Sequence, residues 1–241
     1  MTAYRNKQAE ISKRLDEDFR RYQSNKSHYY RLTSGELFAI PAKYQEFWSK
    51  RDYFAESLDP PSRVPVQDGL GFQFFLPDYS GYTFENFQDT FSAAKVHVLV
   101  TQVDPQEYEK NPGVYWEPKL TIQRRSTPAA PSIDTKNLEY KWGMTCYRSL
   151  LNHRESLECV GKRTTGQDVL WDVMDHPDMY QWFPNPQART RYFTRDLVGG
   201  VQVTIRMHHS QIAHWREVDD FVWRSLSQWR VNAPALQQPN K

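Results

Sequence analysis

The sequence lacks the short motifs that mark most hydrolases, zinc peptidases and nucleotide-binding enzymes. The serine-nucleophile elbow G-x-S-x-G is absent. So are H-E-x-x-H, C-x-x-C, the phosphate-binding P-loop and the dinucleotide fingerprint G-x-G-x-x-G; Gly69-Leu-Gly71 stands without a third glycine. No apolar run approaches the roughly 20 residues that a membrane-spanning helix needs. The N-terminus, Met1-Thr-Ala-Tyr-Arg-Asn-Lys7, is polar from its start and does not read as a signal peptide. Neither sign of charge dominates: 31 Lys and Arg face 29 Asp and Glu, interspersed, which gives no electrostatic case for a nucleic-acid partner. Cysteine is nearly missing as well, with two residues in 241.

Those two cysteines are the most informative residues present. Cys146 and Cys159 flank a stretch that reads as an antiparallel hairpin, with a polar tip at Asn152-His153-Arg154 midway between them. Sulfurs so placed face each other, and a disulfide there would staple the loop and indicate an oxidising compartment. The competing reading is two reduced, buried thiols; the symmetric placement favours the disulfide. It conflicts with a polar N-terminus read as cytoplasmic. Both hold if an export signal or membrane anchor precedes Met1, so a protein of an oxidising compartment, with such a segment upstream, is expected.

Length and composition suit one large domain or two small ones with a real core. Eight Trp, fourteen Tyr and thirteen Phe favour a β-rich chain. Residues 1–30 read as a helical stem, with Ile11, Leu15 and Phe19 on one narrow stripe. This helix either packs on the domain or forms a stalk. A first α+β lobe is expected over 31–132, a second over 133–233, and a flexible tail over 234–241. The Pro-rich segment 126–132 either separates the lobes or forms a long loop within one.

Strands are expected at 71–77, closed by Pro77, at 169–174 and at 189–195. Period-two alternation predicts others at 94–103, 118–125 and most clearly at 201–208. There Val201, Val203, Ile205 and Met207 face one way, and Gln202, Thr204, Arg206 and His208 the other. A short helix is expected near residue 45 with Tyr44, Phe47 and Trp48 on one face, and a single helical turn near 104–109. The last element reads as an amphipathic helix over 211–229, capped by Ser210, with Ile212, Trp215, Val218, Val222, Leu226 and Trp229 in register. The class is α+β: antiparallel sheet packed with an N-terminal helix and a C-terminal amphipathic helix.

Candidate chemistry is sparse. His208 and His209 are adjacent and, on a regular strand, would point to opposite faces, so they cannot share one metal. No zinc-like spacing occurs, and neither a metal nor a cofactor is expected. A hydrolase would have to use His176, His208 or His209 with a nearby carboxylate. Glu217, Asp219 and Asp220 on the last helix are expected to form a solvated face beside Arg216 and Arg224.

Two aromatic, irregular segments suit protein binding. One carries Asp78, Tyr79, Tyr82, Phe84 and Glu85; the other carries Tyr180, Trp182 and Phe183. Their alternative is to pack onto the sheet as small cores.

The second half resembles a known family. It runs from Cys146 through Cys159-Val-Gly161-Lys162, Val169-Leu170, Pro184-Asn-Pro186, Arg191-Tyr-Phe193 and Gly199-Gly200-Val201 to Trp215-Arg-Glu-Val-Asp219 and Trp229. Over residues 139–231 this resembles immunity proteins encoded beside type VI secretion lipase effectors of Gram-negative bacteria. The resemblance implies a non-enzymatic periplasmic binder that occludes a lipase or phospholipase, often held by an N-terminal anchor. It supplies no transferable contact residues. An adaptor or structural component of a secretion apparatus is the alternative.

Overall fold

A computed structural model of the chain describes residues 27–45, 66–83, 92–110, 117–127, 132–150, 156–174, 187–197 and 199–231, with positions 13, 17, 64 and 86. The elements with described bounds are, in chain order, β1 (Ser27–Leu32), β2 (Leu37–Pro41), β3 (Val66–Gln67), β4 (Gly69–Phe75), β5 (Lys95–Gln102), α1 (Pro105–Lys110), α2 (Pro118–Arg125), β6 (Ile133–Lys141), β7 (Met144–Ser149), β8 (Ser156–Lys162), β9 (Asp168–Met174), β10 (Gln187–Thr194), β11 (Val201–His208), α3 (Trp215–Trp229) and β12 (Arg230–Val231). The fold is α+β. An eight-stranded antiparallel sheet runs β4-β5-β11-β10-β9-β8-β7-β6, and a smaller mixed sheet runs β12-β2-β1-β3.

The alternation in β11 sets one face of the large sheet. Val201, Val203 and Ile205 are wholly buried, and Val203 and Ile205 pair with Val100 and Val98 of β5 in antiparallel register. That β5–β11 pairing joins strands from either side of residue 132 in one sheet. The amphipathic stripe of α3 covers this face with Trp215, Val218, Val222 and Leu226. Phe38 and Ile40 of β2 close the same core.

Two sequence expectations are corrected here. Residues 118–125 form helix α2, not a strand. Pro118 occupies the first helical turn, where its missing N–H costs nothing, and the Glu117 carboxylate accepts from the Leu120 N–H at 2.6 Å. Arg124 and Arg125 lie at the end where the helix dipole favours cations. Alternation of Leu120 and Ile122 over so few residues fits either period. The C-terminal α-helix also starts later than expected. A 3-10 turn spans His209–His214, and the His208 side chain, rather than Ser210, accepts from a backbone N–H. Near residue 45 there is a 3-10 turn, Ala42–Tyr44; Phe47 and Trp48 lie outside the described residues, as does the expected stem apart from positions 13 and 17 and residues 27–30, which belong to β1.

The β6–β7 connection is a two-residue turn. Trp142 and Gly143 both have positive φ, 54° and 72°, as a type I′ hairpin requires. The β8 glycine Gly161 solves a different problem. A Cβ there would lie 2.6 Å from Trp215 Cζ2 and 2.8 Å from Met144 Cγ. Gly161→Ala is therefore expected to cost about 1–3 kcal/mol through overpacking, readable as a lower denaturant midpoint at unchanged slope.

Candidate partner-binding face

Cys146 on β7 and Cys159 on β8 are direct cross-strand partners joined by a disulfide. Both are wholly buried, and they belong to the core cluster that contains Met144, Trp171 and Trp215. The bond thus locks the core side of the sheet as well as the intervening loop.

The first predicted binding loop divides. Asp78 is exposed, and hydrogen bonds from Ser80 hold its carboxyl below the usual carboxylate range. Tyr79 is half-buried, with φ 56°, uncommon for an aromatic residue. Its ring stacks on Phe221 at 4.8 Å and lies 5.8 Å from Phe74, which holds it against α3 and β4. Tyr82, proposed as an exposed anchor, is 3% exposed. Its hydroxyl donates to Gln73, its ring meets Phe75 edge-on at 5.2 Å, and the Lys95 ammonium sits over it. For Tyr82 the small-core reading applies. Phe84 and Glu85 lie outside the described residues, as do Tyr180, Trp182 and Phe183 of the second loop and His176.

The other face of the large sheet carries a feature that sequence reading did not assemble. Register aligns Gln73 of β4, His97 of β5, Arg206 of β11, Arg189 of β10, Asp172 of β9 and Glu158 of β8 in one row. Beside it runs a second row, Leu99, Thr204 and Arg191. Directly opposed residues share a face, so three guanidinium groups gather on two adjacent strands. Arg189 is fixed by Asp172 through Nε and Nη2, at 3.2 and 3.0 Å. Arg206 is exposed; burial of part of its side chain and then the charges of Arg189 and Arg191 lower its pKa. The outward alternation of β11 was legible, but its juxtaposition with Arg189 and Arg191 depends on strand order.

Two helices flank this cluster. Helix α1 stacks Tyr108 on Phe193 of β10, with ring centroids 3.9 Å apart. Helix α2 lies over the β7–β9 side, where Arg125 pairs with the buried Glu158. Between α2 and the sheet is a cleft of about 420 Å³ lined by Pro118, Ile122, Gln123, Tyr147, Val160 and Asp168. Leu138 and Tyr140 on the end strand β6 are both exposed, Tyr140 at 78%.

On the α3 side, Asp219 is not part of a solvated face. It is 4% exposed and pairs with Arg163 Nε at 2.8 Å. The Tyr192 hydroxyl donates to it and accepts from Trp223 Nε1 at 2.9 Å. The guanidinium of Arg163 also lies over the rings of Tyr192 and Trp223. Burial, and then the charge of Asp219, push the Tyr192 hydroxyl well above its usual range, so it stays a donor. Asp220, one residue on, does face outward and accepts from Thr164.

The paired histidines also differ from expectation. Strand β11 ends at His208 and the 3-10 turn begins at His209, so the two rings approach to 4.8 Å rather than diverging. His208 Nδ1 lies 2.7 Å from Ser210 Oγ. Among the described residues there is no group of three His, Cys, Asp or Glu side chains able to hold a metal ion.

The fold defines the class, a disulfide-bonded α+β protein built on an eight-stranded antiparallel sheet. No family model and no curated protein matches the chain. Its fold is similar to the solved structure of an immunity protein of the Stenotrophomonas maltophilia type IV secretion system. That likeness has a TM-score of 0.52 at 12% identity and covers 86% of this chain and 94% of the other. At this identity it is a likeness of fold.

Proposed function

We propose that this chain is an immunity protein that binds a secreted effector and neutralises it in the periplasm. The observation that carries the reading is the fold correspondence with a secretion-system immunity protein over most of both chains. The buried disulfide supports an oxidising compartment. The sequence resemblance in the second half supports a lipase or phospholipase as target, with occlusion of its active-site entrance as mechanism. It points to type VI delivery, whereas the structural likeness is to a type IV immunity protein. An inhibitor reads the effector's surface, so the apparatus does not alter the binding chemistry.

The test is co-expression with the effectors encoded beside the gene, followed by co-purification and a lipase assay. Capture and inhibition of one of them are expected. Failure to bind any of them would remove the reading. Gene deletion separates the adaptor alternative: an immunity protein's loss leaves sibling cells sensitive, whereas an adaptor's loss stops delivery. Of the sequence-proposed contacts among the described residues, Asp78 and Tyr79 are left accessible and Tyr82 is buried. Asp78→Lys is expected to weaken effector binding by about tenfold with an unchanged Tm, because Asp78 is exposed and its hydrogen bond from the Ser80 N–H lies within its own loop. Unchanged affinity would remove that loop from the interface.

A further inference from the structure

We infer that Arg189, Arg191 and Arg206, with His97 and Leu99 beside them, form a docking surface for an acidic protein surface. Only the naming of that surface as the effector's rests on the immunity reading; the charge chemistry stands on the sheet's own geometry.

Arg206 and Arg189 are direct cross-strand partners, and Arg191 lies two residues further along the same face. Like charges directly opposed on a sheet are destabilising, and here they occupy two central strands rather than a frayed edge. Arg189 is held in position by Asp172. Arg206 forms no ion pair with an acidic side chain among the described residues, and the charges acting on it are the two other arginines. An incoming carboxylate would relieve that repulsion, and guanidinium groups bind carboxylates in a planar, two-pronged geometry.

The surroundings indicate a folded protein rather than a polyanion. The row continues from the arginines into Asp172, which is paired with Arg189, and Glu158, which is buried and paired with Arg125, so its excess of positive charge is confined to β10 and β11. A continuous phosphate chain would find no further open cationic row there, whereas a protein surface can match a short charged patch. Leu99, 48% exposed, lies in the adjacent row and supplies an apolar contact next to the guanidinium groups. Arginine beside exposed apolar area is the composition of interface hot spots. The end strand β4, whose chain continues to Asp78, lies two strands from Arg206, about 10 Å.

The experiment uses the full chain and two variants, Arg206→Glu and Arg206→Gln. Arg206 is exposed and unpaired with any acid among the described residues, so both should fold with Tm unchanged or raised. Each is titrated with a decaglutamate peptide, a short DNA duplex, phosphatidylglycerol vesicles and the neighbouring effectors. We expect the parent chain to bind the peptide in a salt-sensitive manner. Arg206→Glu should weaken both peptide and effector binding by about tenfold or more, with Arg206→Gln intermediate. Peptide binding that Arg206→Glu leaves unchanged, or no peptide binding by the parent, overturns the inference. Tighter binding of DNA or vesicles than of peptide, lost in Arg206→Glu, overturns the assignment to an acidic protein. An effector bound equally by parent and Arg206→Glu removes this face while the immunity reading stands. Peptide binding through Arg206 without capture of any neighbouring effector leaves the face standing and removes the immunity reading.

Discussion

Asp219→Ala is expected to destabilise the protein by about 3–5 kcal/mol, a fall in Tm of roughly 6–20 °C for a domain of this size. The reason is what it leaves behind. The Arg163 side chain is 1% exposed, and Asp219 is its buried counter-ion; the Asp196 carboxylate, also paired with Arg163, is far more exposed. Removing Asp219 strands a buried guanidinium and takes the acceptor from the Tyr192 hydroxyl. Replacing both charges, as in Arg163→Met with Asp219→Leu, is expected to recover much of the loss, because no unpaired ion then remains. Chemical denaturation of the three variants measures this. A single-variant loss below about 1 kcal/mol would show that the pair is solvated in solution.

The same carboxylate carries a pH signature. Burial raises its pKa above 3.8, and Arg163 only partly offsets this. The folded state therefore holds the proton more tightly than the unfolded chain. Its contribution to stability is full below 3.8 and declines as pH rises through the raised folded value. Asp219→Asn, which does not titrate, should lack that component of the pH dependence. A slope identical to the parent's would assign it elsewhere.

The second large effect is expected from the disulfide. Replacing both cysteines, Cys146→Ala with Cys159→Ala, should cost about 3 kcal/mol, the value for closing a loop of this length, here a separation of 13 residues. The bond lies in the core against Met144, Trp171 and Trp215, so two sulfurs' worth of packing is lost as well. Thiol titration of the native protein should find no reactive sulfhydryl, and unfolding in reductant should release two. Two titratable thiols in the oxidised, unfolded protein would contradict the bridge. A variant as stable as the parent would show that the bond adds nothing to folding stability.

What was legible in the sequence followed from short-range rules. In β11, each of Val201, Val203, Ile205 and Met207 is buried because strand side chains alternate and only one face meets α3. Helix α3 was visible through its apolar spacing, and the cysteine pairing through the symmetry of the hairpin. The same rules failed at residues 118–125, where the alternation of Leu120 and Ile122 was too short to define a period and the cap at Glu117 decided the outcome. They failed again at Asp219, because a carboxylate between Val218 and Asp220 carries no local sign of the arginine that neutralises it from a separate turn, Arg163.

The candidate interface divides along the same line. Asp78 and Tyr79 were identifiable as part of an aromatic, acidic loop. Tyr82 shared that composition, yet it is buried because Gln73, Phe75 and Lys95 surround its ring. The outward position of Arg206 on β11 was legible, but the gathering of three arginines had no local sign. Arg189 and Arg206 are 17 residues apart in number but opposite each other in the sheet.

By itself, then, the sequence determined the α+β class, the principal strands, the closing helix and the pairing of its two cysteines, since periodicity and spacing are properties of contiguous residues. Strand order, the burial of Asp219 against Arg163 and the gathering of three arginines on one face were decided only by the tertiary structure, because register and burial depend on which distant segments meet.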